Sequence, residues 1–327
     1  MTEDLVRLSR RVFVRGLGGA IAMPVIPGMA RAEVYPARPV KLVVGFAPGS
    51  GPDIIARLTA DWLSKKLGQP FMVEDRQGAG SNIATETVIR APSDGYTLLH
   101  ATVANTINAK LNDRVDFTRD TTPVAAIARA SFFLVVQSSF PARTVPDLIK
   151  YAKANPGKLT MGSSGSGSAP YLAGELFKIM SGTEIVHVPY TGTPQAITEL
   201  LAGRISLVVA DPSAIEIVKA GRLRALAATA ASTQDILPDV PPLGKFLPGY
   251  EASTWHGISG PKNLPWDIVA LLNRAINDGL ADKGMKARLA QVGFAPMGGS
   301  PLEFGKLIND EAHKWSDLIR RENISLH

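Results

Sequence analysis

Four times in this chain a short apolar run gives way to a loop of Gly, Ser and Thr and then to a helical pattern. The loops are Pro48-Gly49-Ser50-Gly51-Pro52-Asp53, Gly78-Ala79-Gly80-Ser81-Asn82, Gly162-Ser163-Ser164-Gly165-Ser166-Gly167-Ser168 and Tyr190-Thr191-Gly192-Thr193-Pro194. At such a junction the first helical N–H groups lack intrahelical acceptors, and the helix dipole makes the position electropositive. An anion can bind there without a charged side chain. Ser50, Ser81, Ser163, Ser164, Ser166, Ser168, Thr191 and Thr193 add hydroxyl donors, and the glycines let a ligand reach the main chain. For any single loop, plain helix capping is the better reading. As a group the loops point to a small anion, because helix starts after parallel strands gather at the carboxyl edge of the sheet. Asp53 serves its own helix start, and Pro52 and Pro194 suit a first helical position.

The familiar catalytic patterns do not fit. Gly162-Ser163-Ser164-Gly165-Ser166 ends in serine where a nucleophile elbow needs glycine. No phosphate-binding G-x-x-x-x-G-K-[ST] occurs, and Gly78-Ala79-Gly80 meets Ile83 where the dinucleotide fingerprint needs a third glycine. His100, His187, His256, His313 and His327 are isolated in sequence, so no metal is expected. His187 lies in a β-branched run and reads as a packed, hydrogen-bonded histidine. The chain has no cysteine, which excludes disulfides, thiolate metal sites and a cysteine nucleophile. A Ser164/His256/Asp211 triad can be drawn, and it keeps a serine hydrolase of small esters as the alternative function.

Those loops need a scaffold, and the chain of 327 residues is long enough for two ordinary domains. Lys41–Phe46, Phe71–Glu74 and Tyr96–His100 read as strands separated by helices at Asp53–Leu67 and Ile83–Arg90, a βαβαβ order that predicts a mostly parallel sheet. The pattern restarts with strands at Phe132–Val136, Leu159–Met161, Ile185–Val188, Ile205–Ala210 and Ala225–Ala228, with helices at Val145–Asn155, Tyr171–Ser181, Pro194–Ala202 and Ser213–Ala220. A strand at Trp255–Ser259 and helices at Pro265–Leu280 and Pro301–Asn323 follow. Linkers are expected near Thr118–Pro123 and Leu237–Tyr250. If the last helices return to the first unit, the result is a two-lobe α/β clamshell with the loops facing a cleft. Its first lobe would hold residues 33–126 and 253–327, and its second residues 127–252. Two tandem domains in a line remain the alternative.

The formal charge is +6, half of it within the first 32 residues, and the rest is interspersed. With no basic stripe, nucleic acid is not an expected partner. Ser9-Arg10-Arg11-Val12-Phe13-Val14-Arg15 is a twin-arginine pattern, followed by the apolar Gly16–Met29 and by Ala30-Arg31-Ala32 at the place of a cleavage site. Pro24 and Pro27 interrupt that stretch, and it falls short of the roughly 20 residues that span a bilayer. Residues 1–32 are therefore expected to be a twin-arginine signal peptide, and the mature protein periplasmic.

From about Tyr35 onward the chain resembles the Bug-type (TctC-type) periplasmic receptors of tripartite tricarboxylate transporters. The resemblance is carried by Tyr35-Pro36-Ala37-Arg38-Pro39-Val40, Phe46-Ala47-Pro48-Gly49-Ser50-Gly51-Pro52-Asp53, Gly78-Ala79-Gly80-Ser81-Asn82-Ile83 and Asp94-Gly95-Tyr96-Thr97-Leu98-Leu99. It continues in Pro156-Gly157-Lys158-Leu159, Gly162-Ser163-Ser164-Gly165, Leu172-Ala173-Gly174-Glu175-Leu176-Phe177, Val186-His187-Val188-Pro189-Tyr190 and Leu237-Pro238-Asp239-Val240-Pro241. It implies a type II periplasmic-binding-protein fold that closes over one small carboxylate, held by loop amides, hydroxyls and waters. It also implies no catalytic activity and no cofactor, with transporter subunits in the membrane as partners and a monomeric state. A sensor that hands the same ligand to a signalling partner is a further alternative. The cleft would be lined by Phe46, Pro48, Ser50, Gly51 and Asp53 from one lobe, with Thr102 and Asn105 after the third strand. Ser163, Ser164, Ser168, Tyr190, Thr191 and Asp211 would line it from the other. The chain departs from the family pattern at Ser50 and Pro52, at Thr191 in place of a common lysine, and at Ala210-Asp211-Pro212 in place of a Phe-Asp-Asn-like triplet. These positions bear on which acid is bound.

Overall fold

The structure is a computed structural model that describes residues 34–109, 116–231, 235–321 and 324. The twin-arginine segment lies outside the described residues.

The first half of the chain supplies β1 (Val40–Val44), α1 (Gly51–Leu67), β2 (Phe71–Asp75), α2 (Asn82–Ile89), β3 (Thr97–Thr102), α3 (Val103–Ala109), α4 (Phe117–Asp120) and β4 (Thr121–Ser131). Val40, Leu42, Val43 and Val44 of β1 are all buried, as expected of a strand covered on both faces. α1 has Pro52 in its first turn and stops at Gly68, whose φ of 75° is left-handed. Its buried stripe of Ile55, Ala56, Thr59, Ala60 and Leu63 follows the helical period. Asp53 in the first turn and Lys65 and Lys66 in the last complement the helix dipole.

Next come β5 (Phe133–Gln137), α5 (Val145–Ala154), β6 (Leu159–Ser163), α6 (Ala169–Ser181), β7 (Ile185–Pro189), α7 (Thr193–Leu201), β8 (Leu207–Ala210), α8 (Ile215–Lys219) and β9 (Leu223–Ala228). The chain ends with β10 (Ser253–Pro261), α9 (Trp266–Ala281), α10 (Lys283–Gln291), β11 (Ala295–Pro296) and α11 (Pro301–Arg321).

Two sheets result, in the orders β11-β4-β10-β3-β1-β2 and β7-β6-β8-β5-β9. They are mixed, which corrects the expectation of mainly parallel sheets. Among the described residues, the parallel strand pairs are β1 with β2 and β3, and β6 with β7 and β8. The strands nearest the crossings between sheets, β4, β5, β9 and β10, pair antiparallel. The expected linker at Thr118–Pro123 is instead α4 and the start of β4. Pro123 is tolerated there because the β4–β10 register shifts beside its partner Ser259.

The chain passes from the first sheet to the second at Phe132 and back between β9 and β10. Thr229 ties the two passages together. Its N–H donates to Phe132 O (2.9 Å) and its hydroxyl accepts from Phe132 N (2.9 Å). On its other side the hydroxyl donates to Ala252 O (2.7 Å), and Ala252 N donates to Thr229 O (2.9 Å). α11 buries Phe304, Ile308, Ala312 and Trp315 along one face. Phe304, Ile308 and Trp315 belong to one apolar cluster with Leu99 of the first sheet and Leu134 and Met161 of the second.

Candidate functional site

The carboxyl ends of β1 and β6 and the helix starts that follow them face one another across a cleft. An outer cavity of about 500 Å³ is walled by Gly45, Phe46 and Gly78–Gly80 from the first sheet's loops, and by Ser164–Ser166, Pro189–Thr191 and Gln195 from the second's. No Lys, Arg, Asp or Glu among the described residues lines it. Behind it lies an inner cavity of about 20 Å³, room for one water-sized group. Phe46 and Ser164 line both cavities. Ser50, Thr102 and Asp211 complete the sequence-predicted residues in the inner wall, together with Pro52, Phe132, Pro170, Thr254 and His256. Tyr190 and Thr191 stand in the outer wall.

The other expected contacts are spent on the scaffold. Asp53 accepts from Gly49 N (2.8 Å) and pairs with Arg57 Nε (2.7 Å), so it staples its own loop. That hydrogen-bonded pairing raises the Arg57 pKa, while burial and then the Asp53 charge raise that of Asp75. Pro48 is exposed and lines neither cavity. Asn105 accepts from Thr102 N (2.7 Å) and donates to Ser81 Oγ and Thr85 Oγ1. Ser168 caps α6 through Tyr171 N (3.3 Å). Ser163 is 1% exposed; its Oγ lies 2.7 Å from His187 Nε2 and accepts from Gly165 N, so the pair sets the loop's shape from behind. Burial and the nearby Lys178 charge push His187 down to about 4, so the imidazole is neutral at pH 7.

Gly51 takes part through its main chain. Asp211 of the second sheet's loop accepts from Gly51 N at the start of α1 (3.1 Å), from Thr193 Oγ1 (2.8 Å) and from Ser213 N (2.9 Å). The α1 start therefore binds a carboxylate in this structure, by means of N–H and hydroxyl groups.

Gly78, Ala79 and Gly80 of the loop at Gly78–Asn82 are part of the outer wall. Gly78, Ala79, Gly80 and Ser81 all have positive φ (129°, 48°, 60° and 79°). Asn108 of α3 holds this bend, donating to Gly80 O (2.8 Å) and to Gly167 O of the opposite loop (3.2 Å). Neither Asn108 nor α3 was legible in the sequence.

Ser164, His256 and Asp211 all border the inner cavity, yet no hydrogen bond joins any two of them, so they are not wired as a triad. His256 Nδ1 lies 3.0 Å from His100 Nε2, a buried pair that the sequence reading did not find. Burial lowers His100 to about 3 and His256 well below the usual range, so neither ring is charged at pH 7. Spacing could have shown the pair's face, since His100/Thr102 and Thr254/His256 each stand two apart on strands.

Known structures share this architecture. Rpa4515 of R. palustris, solved with adipate, is 35% identical with a TM-score of 0.86, covering 89% of this chain and 99% of that one. The periplasmic binding protein BugD is 27% identical at a TM-score of 0.85, covering 89% and 99%. MatC (Rpa3494) of Rhodopseudomonas palustris, with bound malate, is 28% identical at 0.83, covering 87% and 100%. The two mixed, helix-flanked sheets are thus the two lobes of a periplasmic-binding-protein fold. Residues 55–324, which take in every strand but β1, match the model of the tripartite tricarboxylate transporter family receptor, and the chain belongs to that family.

Proposed function

We propose that this chain is an exported receptor that captures a small dicarboxylate in the cleft and delivers it to a tripartite tricarboxylate-type membrane transporter. The observation that carries the reading is the outer cavity. It has the size of a small-molecule site, and glycine-rich loops of both lobes wall it with amides and hydroxyls instead of charges. The carboxylate of Asp211 at the α1 start supports the same mode of anion recognition. Adipate and malate in the two ligand-bound relatives support a dicarboxylate as the ligand class. Phe46, Ser50, Gly51, Thr102, Ser164, Tyr190, Thr191 and Asp211 form the proposed binding set. The twin-arginine segment at Ser9–Arg15 addresses the chain to the periplasm.

Titration calorimetry against a panel of small mono-, di- and tricarboxylates tests the proposal. At least one dicarboxylate binds with a dissociation constant in the micromolar range or below and raises the melting temperature by mass action. Silence across the panel overturns it.

A further inference from the structure

Thr102 and His256 stand opposite each other in the β3–β10 ladder, with His100 and Thr254 two residues away on the same strands. All four side chains therefore leave one face of the sheet, the face that closes the inner end of the cleft. Ser50, Thr102 and Asp211 in that wall have partners. Ser50 donates to Ala47 O (2.6 Å), Thr102 bonds Ala104 N and Asn105 Oδ1, and Asp211 has its three donors. His256 differs. It is 1% exposed, its Nδ1 is engaged by His100, and its Nε2 is buried without a partner. Buried polar atoms left unpaired are costly and rare.

We propose that His256 recognises the buried end of the ligand, its Nε2–H donating to a carboxylate oxygen that enters the inner cavity. The inference rests on the receptor reading above. A volume of about 20 Å³ admits one oxygen-sized group, so the acid goes in oxygen first while its carbon chain stays in the outer cavity. Phe46 and Ser164, which line both cavities, mark the passage between them. In the donor tautomer, His100 Nε2–H donates to His256 Nδ1 and His100 Nδ1 carries no proton, consistent with the lack of any acceptor at that atom. His100 is thus a positioning residue that fixes which nitrogen of His256 faces the ligand. The donor is neutral and sits in a dry wall, where a hydrogen bond to an anion counts for more than it does in water.

Nitrogen-15 NMR of the histidine-labelled protein, titrated with adipate and with malate, reads the tautomer directly. In the complex His256 has a protonated Nε2 and a bare Nδ1. His256→Leu weakens binding of the better acid about ten- to hundred-fold, the loss of one hydrogen bond to a charged group. His256→Gln, which keeps a donor, recovers part of the loss. A bare Nε2 in the complex, or His256→Leu binding within about twofold of the parent, overturns the inference and leaves the receptor reading standing. If the unaltered protein binds no carboxylate at all, the receptor reading itself fails and takes this inference with it. Should His256→Leu not fold, the NMR result on the unaltered protein and the His256→Gln affinity decide.

Discussion

Gly80 faces steric demands from both sides of the outer cavity. Its φ is +60°, and an added Cβ would lie 2.8 Å from Asn108 Nδ2 and 3.1 Å from Ser166 O of the opposite loop. Gly80→Ala therefore meets left-handed strain and a clash across the cleft together. It should cost about 1–3 kcal/mol of stability, measured by denaturant unfolding. It should also weaken dicarboxylate binding, because the clash pushes the facing loops apart. An unchanged unfolding midpoint would show that the bend at Gly78–Ser81 is not held as described. Residues of this kind explain the uneven legibility of the site. Serines and glycines at helix starts announce themselves by type, whereas Asp53 and Ser168 look identical in sequence whether they face a ligand or cap a helix. Only their partners, Gly49 N and Arg57 for one and Tyr171 N for the other, separate the two cases.

At the scale of elements, local signals were strong where one side chain does one job. α5 begins with a reciprocal capping box, Thr144 Oγ1 accepting from Asp147 N and Asp147 accepting from Thr144 N. Thr144→Ala should cost about 1 kcal/mol, seen as a lower unfolding midpoint with an unchanged denaturant slope. An unchanged midpoint would mean that α5 is held by packing alone. The βα units were legible because a covered parallel strand is a plain β-branched run and its helix carries a stop. β4 was not, because Thr-Thr-Pro-Val-Ala-Ala-Ile-Ala-Arg-Ala-Ser is poor in β-branched residues at its centre and holds a proline. Its strand character comes from pairing with β10 and β11. α3 is short and built from weak helix formers, yet its Asn105 and Asn108 secure the loop of the outer wall. α10 buries only Met285 and Leu289, too few to show a period.

For the whole molecule, the buried histidines set the response to acid. The folded pKa of His100 is about 3 and that of His256 is well below the ordinary 6.5, so the unfolded chain binds more protons below that value. Stability is therefore full above about pH 6.5 and falls as the pH drops toward the folded values. The loss for the pair is at most about 3 kcal/mol per pH unit. Asp75, raised by burial, acts in the opposite sense, one group against this pair and His187, which burial also lowers. Calorimetric melts at pH 7.5, 6 and 5 should show a melting temperature that declines by several degrees into the acid range. A flat profile would mean that the pair is hydrated or already charged. The clasp at Thr229 sets a different property. Both passages between the lobes are bonded to this one residue, so sliding one lobe over the other would break all four of its bonds at once. Bending about the clasp strains them less, so rotation costs chiefly the contacts across the cleft, such as Gly51 N with Asp211 and Asn108 with Gly167 O. On the proposed receptor function, the span of a bound acid would then be converted into a single angle between the lobes, a quantity that a membrane partner could read without touching the ligand.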